Sequence, residues 1–183
     1  VGSEMCIRDS MSTQEATVQQ QPTSFSISTV IIPGAITYYG VDYPVTSIGE
    51  YAFYGCSGLT SMTIPNSVTS IGSSAFSGCF SLTSLTIPNS VTSIGNGAFY
   101  GCSGIKELRL EDGESTLSLD YNSYSSPGTG EGLFYDCPLE TLYLGRTLSY
   151  ITGSSYGYSP FYGKKTLTSV TIGNSVTSIG SSA

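Results

Sequence analysis

Leu59–Ser81 reads LTSMTIPNSVTSIGSSAFSGCFS, and Leu82–Gly104 reads LTSLTIPNSVTSIGNGAFYGCSG. The second stretch rewrites the first at an offset of 23 residues, so Leu59, Ile64, Val68, Ile71, Ala75, Phe76 and Cys79 recur as Leu82, Ile87, Val91, Ile94, Ala98, Phe99 and Cys102. In extended backbone alternate side chains point to opposite faces. Leu85 and Ile87 therefore face one way, and Ser84 and Thr86 the other. Pro88-Asn89 interrupts the strand, because proline donates no ladder hydrogen bond and asparagine favours turns. A second short strand over Val91–Ile94 brings two more apolar groups inward, and Gly95 turns the chain again.

No single repeat of this kind can bury its apolar face. Coils stacked at the strand-pair spacing of about 4.8 Å bury theirs against each other. A fixed period in the range of about 20–29 residues, with leucine heading a short alternating run, marks a leucine-rich solenoid. The fold class expected is a β-rich, right-handed coil stack with 23-residue repeats, short parallel strands and one short helical turn per coil at Ala98-Phe99 and its equivalents. The Leu-headed strands should begin near Thr60, Thr83, Lys106, Glu140 and Thr168 and form one parallel ladder. At the closing position Phe53, Phe76, Phe99, Phe134 and Phe161 should stack as buried rings. Burying each is worth roughly 1.5–3 kcal/mol.

Working outward, Ile36–Gly58 aligns as a first coil, with Ile36, Tyr39 and Val41 in the places of Leu59, Met62 and Ile64. Ser24–Pro33 alternates apolar residues as an N-terminal strand, so residues 23–35 read as a cap ahead of the solenoid proper, 36–183. Residues 1–22 are polar, Gln-rich and aperiodic, which predicts disorder. Their first ten, VGSEMCIRDS, resemble translated sequencing-adapter sequence, and no signal peptide is visible. C-terminal to Gly104 the regularity breaks. The fourth coil, Ile105–Pro138, carries 11 extra residues, and the fifth, Leu139–Thr166, carries five. A sixth begins at Leu167 and stops at Ala183, short of its phenylalanine, so further repeats are expected beyond it.

Composition narrows the function. The chain has no His, is only 10% charged and carries a net charge of −7. A triad or zinc chemistry lacks its usual imidazole, and nucleic-acid binding lacks the Lys and Arg that displace counterions. No apolar run approaches the ~18 residues of a membrane-spanning helix. The chain is therefore not expected to be an enzyme or to hold a cofactor or metal. Cys56, Cys79, Cys102 and Cys137 share one repeat position, where a buried thiol acts as a small hydrophobe. Lys164 takes that position in coil five.

The repeated LTSLTIPNSVTSIGxxAFxGC resembles the BspA-type leucine-rich repeat over about Val30–Ala183, most closely in the two central coils. The resemblance implies a secreted or surface-displayed array with an adhesive role, at an extracellular or cell-surface location. It brings no catalytic residues.

Candidate partner-binding residues are those that interrupt the monotony. The outward strand positions Tyr38, Ser61, Thr63, Ser84, Thr86, Thr141, Ser169 and Thr171 are all hydroxyl-bearing, whereas Glu107, Arg109 and Tyr143 are groups able to anchor an interface. Tyr121, Tyr124, Tyr150, Tyr156, Tyr158 and Tyr162 crowd the two insertions, and Tyr/Ser/Gly loops resemble antibody paratopes. Both insertions, Glu111–Gly132 and Gly153–Pro160, precede the closing Phe of adjacent coils and should emerge side by side. Glu111, Asp112, Glu114 and Asp120 lack the alternating spacing of a calcium loop and read as a solvated acidic loop. The reading of function is a non-catalytic adhesion module contacting a protein or glycan. The alternatives are a structural spacer array, or a Ser/Thr surface facing ice or mineral.

Overall fold

The computed structural model describes residues 7–10, 15–19, 28–122, 131–150 and 159–179. Among these residues the chain forms sixteen strands and no helix, and so none long and apolar enough to cross a membrane. Each regular coil lays down two strands, and each set stacks into its own parallel sheet. In the front sheet Ser84–Ile87, Glu107–Leu110, Thr141–Leu144 and Ser169–Ile172 pair in that order. Leu85, Leu108, Leu142 and Val170 are in register, as are Thr86, Arg109, Tyr143 and Thr171. Leu85, Leu108 and Leu142 are buried in the core, Val170 in the last described strand is exposed, and the second set faces out.

The second sheet runs Glu15–Val18, Val41–Ile48, Ser70–Ile71, Ser93–Ile94, Leu117–Leu119, Leu148–Tyr150, all parallel. Here Ile48, Ile71, Ile94, Leu119 and Tyr150 line one row, and Ser47, Ser70, Ser93, Ser118 and Ser149 line the alternate one.

Between the sheets lies one continuous core, Leu59, Ile64, Cys79, Leu82, Ile87, Val91 and Cys102 among it. Phe53, Phe76, Phe99 and Phe134 are fully buried and Phe161 is half-buried. Their ring centroids are 5.4, 5.5, 5.3 and 5.7 Å apart in succession and the planes lie within 17° of parallel. Such spacing follows from the coil rise itself, since one ring per coil has no freedom to offset far. The four cysteines of this row are free and buried. The Cys79 thiol donates to Phe53 O (3.3 Å) and that of Cys102 to Phe76 O (3.1 Å), each reaching the carbonyl of the preceding coil's ladder phenylalanine. Burial above all pushes the Cys79 and Cys137 thiols up to about 12. Lys164 keeps the pattern by another route: its ammonium donates to the Phe134, Tyr135 and Cys137 carbonyls.

Three expectations are corrected. The closing segment is a chain of tight turns where a helical turn was expected. Ala75, Ser77 and Cys79 N–H donate three residues back, while Ser74, Phe76 and Gly78 N–H donate to the next coil's Asn96, Ala98 and Tyr100 carbonyls. Alternate donors thus belong to the neighbour, which a helix would not allow. In the first three coils a left-handed residue opens the turn and also forbids a helix, at Tyr51, Ser74 and Gly97 (φ 56°, 53° and 60°).

The second correction concerns the front sheet, which is two pieces and not one ladder. The strands begin at Ser61, Ser84, Glu107, Thr141 and Ser169, each within one residue of its expected start, but Ser61–Thr63 pairs back to Thr29–Ile31 without joining Ser84–Ile87. The corners that enter the coils on either side of Ser84–Ile87 differ. At Gly104 a Cβ would stand 2.4 Å from Phe80 O and 2.8 Å from Leu82 O, so only glycine lets coil four close on coil three. Coil three is entered through Ser81, where coil four has this glycine.

The third is the N-terminal segment. It was expected to be disordered, yet Ile7–Ser10 and Glu15–Val18 form an antiparallel pair, and the latter strand opens the second sheet beside Val41–Ile48. Ala16 and Val18 are fully buried there. Polarity hid the two-residue alternation that a strand needs. No side-chain charge opposes this burial, because the inward residues are both small and apolar.

Candidate binding surface

The outward face of the front sheet is uniform until coil four. Ser84 and Thr86 in coil three sit opposite Glu107 and Arg109, which sit opposite Thr141 and Tyr143. The parallel register places Arg109 directly beside Tyr143, and its guanidinium lies 3.8 Å from the centre of the tyrosine ring. The Tyr143 hydroxyl donates to Asp112 Oδ2 at 2.6 Å, and Arg109 Nη2 stands 3.9 Å from the same oxygen. The hydrogen bond to Asp112 is the main reason the phenol is held above its ordinary value. The three side chains thus fix one another on an exposed surface. Arg109 and Tyr143 border a shallow depression of about 290 Å³ that Thr86, Thr141 and Thr171 also line. Nearby, Lys106 and Glu140 form an exposed ion pair at 2.8 Å.

Glu107, Arg109 and Tyr143 therefore share one face, with Asp112 joining from the adjacent corner. Tyr121 belongs elsewhere, in a two-residue strand, Tyr121–Asn122, antiparallel to Glu131–Gly132. Tyr124, Tyr156 and Tyr158 lie outside the described residues, as do the rest of 123–130 and of 151–158. Their roots are described, and they meet: a Cβ at Gly132 would fall within 3 Å of both Ser159 and Pro160 backbone atoms. The acidic residues of the coil-four corner serve local contacts. Glu111 accepts from Asn89 N (3.4 Å), Asp120 from Tyr121 N (2.9 Å), and Asp112 from Tyr143.

Two features escaped the sequence reading. Tyr54, Tyr100, Tyr135 and Tyr162 each follow a ladder phenylalanine and are exposed, one per coil, broken only by Ser77. Arg146 is fully buried, and its guanidinium donates to Pro88 O, Asn89 O and Val91 O at 2.8, 2.9 and 2.6 Å. A buried arginine at the position of Asn89 breaks the repeat, and that departure was the available signal.

Two stacked parallel sheets of short strands, one aromatic ring per coil and no helix among the described residues define a leucine-rich-repeat solenoid. The BspA type leucine-rich repeat family matches in six copies over residues 24–159 and 129–183, and the chain belongs to that family. Among solved structures it is similar to a leucine-rich repeat protein from Bacteroides ovatus, at 27% identity and a TM-score of 0.71, over 96% of this chain and 42% of that one. It is also similar to the leucine-rich repeat protein of T. pallidum, at 19% identity and a TM-score of 0.65, over 94% and 80% of the two chains. The chain thus spans less than half of the Bacteroides protein's length. No curated protein matches it in sequence. The family and fold are those of a repeat module, built from core and turn positions and not around reactive side chains.

Proposed function

We propose that the chain is a non-catalytic adhesion module, displayed at a cell surface or secreted, that contacts a protein or glycan through coils four and five. The observation that carries this reading is the Arg109–Tyr143–Asp112 cluster: a guanidinium laid on a ring whose hydroxyl is itself held by a carboxylate. Rigid aromatic and arginine side chains are the usual anchors of interfaces, and these are fixed before any partner arrives, so little side-chain entropy remains to be lost on binding. The Tyr-rich insertions add a second contact region on the same two coils, with their roots already in contact. Surface display rests on the family resemblance.

The test is binding to immobilised panels of extracellular matrix proteins and of glycans. The wild type is compared with Arg109→Ala, with Tyr143→Ala, and with a variant whose two insertions are trimmed to regular coils. Loss on trimming with retention in the two substitutions assigns binding to the loops. The converse assigns it to the front sheet. A wild type that binds nothing on either panel leaves the spacer reading.

A further inference from the structure

We infer that Arg146 is a positioning residue: it supplies the coil-to-coil bonds that the coil-four insertion displaces, and so holds Asp112 against the hydroxyl of Tyr143. In the regular part of the array the corner after the front strand is tied to its neighbour by a serine, Ser90 Oγ donating to Val68 O at 2.7 Å. The next carbonyl in that row is Val91 O. Coil four reaches the corner with a longer connection, Leu110 to Leu119, where coil three has only Ile87 to Ile94. Arg146 takes Val91 O from coil five instead, skipping a whole coil, and takes Pro88 O and Asn89 O with it.

To get there its side chain passes beneath the coil-four corner, and a Cβ on Gly113 would lie 3.9 Å from Arg146 Cδ. That corner is then clamped from both sides. Asn89 Nδ2 donates to Asp112 O at 3.1 Å and Asn89 N to Glu111 Oε2 at 3.4 Å from coil three. From coil five, Gly145 N donates to Leu110 O at 2.8 Å, and Gly113 N donates to Gly145 O at 3.4 Å. Asp112 is the middle residue of the clamped segment, and its carboxylate emerges on the front face to meet Tyr143 and Arg109. A planar fork with five donors suits three carbonyls of one turn, a task that a single ammonium performs less well.

The significance of this arrangement for binding rests on the function proposed above, but the geometry is testable without any ligand. Tyrosines labelled with 13C at the ring Cζ are titrated by NMR in the folded protein, with Tyr143→Phe assigning the resonance. In the wild type, Tyr143 should deprotonate above the ordinary tyrosine value of about 10. In Arg146→Met it should fall back toward that value, because the corner no longer presents Asp112. In Arg146→Lys the shift should be intermediate. A Tyr143 titration unchanged in either folded variant overturns the inference, since a purely structural arginine would lower stability without moving it. Should neither variant fold, the wild type decides. The Arg146 guanidinium protons should exchange with solvent far more slowly than those of exposed Arg109, and equal exchange overturns the inference.

Discussion

Replacing Phe76 with alanine removes the middle rung of the aromatic stack. The ring is fully buried and has a neighbour on each face, Phe53 at 5.4 Å and Phe99 at 5.5 Å. Truncating a buried phenylalanine costs about 3–5 kcal/mol. Each stacked pair adds about 0.5–1.5 kcal/mol beyond area burial. The site has little means to collapse, because the backbone on both sides is tied to adjacent coils through Phe53 N to Ala75 O and Phe76 N to Ala98 O. The cost should therefore lie in the upper part of the range. Against a domain stability of about 5–15 kcal/mol, that is a large share. In a quasi-one-dimensional array it also weakens one nearest-neighbour interface more than the rest. The measurement is urea unfolding followed by far-UV circular dichroism and by tyrosine fluorescence, the chain having 14 tyrosines and no tryptophan. Phe161→Ala is the internal control: half-buried, at the end of the stack, with its described neighbour Phe134 at 5.7 Å, it should cost clearly less. A Phe76/Phe99 double-mutant cycle should return a coupling of about 0.5–1.5 kcal/mol. Equal costs at positions 76 and 161, together with zero coupling, would refute the stack as the element joining the coils.

Stability should fall as pH rises from about 9 toward 12. The Cys79 and Cys137 thiols are raised to about 12 by burial, so between the two values only the unfolded chain ionises, and Cys79→Ala should flatten the fall measured by urea midpoints. Gly104→Ala should destabilise by about 1–3 kcal/mol, because the new methyl meets the Phe80 and Leu82 carbonyls, and a melting temperature that does not move would contradict the close approach. Native-state hydrogen exchange should find Lys106 N–H, which donates to Thr83 O, protected, and Ser84 N–H, at the break in the front sheet, much less so. Thiol labelling should leave Cys79 and Cys102 unmodified until the protein unfolds.

What the sequence made legible was whatever repeats. A 23-residue offset carries the inward row of each strand, the closing phenylalanine and the buried thiol, because burial in a stack demands the same shape at every level. What it hid was set by contacts between levels. The closing segment contains Ala and Phe in an order that suits a helical turn, and what rules one out is the pairing of Ser74, Phe76 and Gly78 with the next coil and the left-handed backbone at Ser74. The break in the front sheet falls between Ser61–Thr63 and Ser84–Ile87, two strands whose sequences are nearly the same, so nothing in either one announces it. The N-terminal strand was hidden by Gln and Glu on its outward side, though Ala16 and Val18 alternate as a strand requires.

The binding surface is legible in proportion to its departure from the repeat. Arg109 and Tyr143 stand out in sequence because Ser and Thr occupy those positions elsewhere, but nothing in their spacing says that they touch. That follows only once parallel pairing sets them side by side, 34 residues apart. Asp112 reads as one more charge in an acidic loop until the corner turns it toward the phenol. A regular coil offers its neighbours identical hydroxyls and cannot distinguish one partner from another. An irregular coil can do so only if something keeps it aligned with the stack. Arg146 spans that irregular coil and fastens to the regular one beyond it, so the residue that breaks the repeat most sharply in the core sits behind the residues that break it most sharply on the surface.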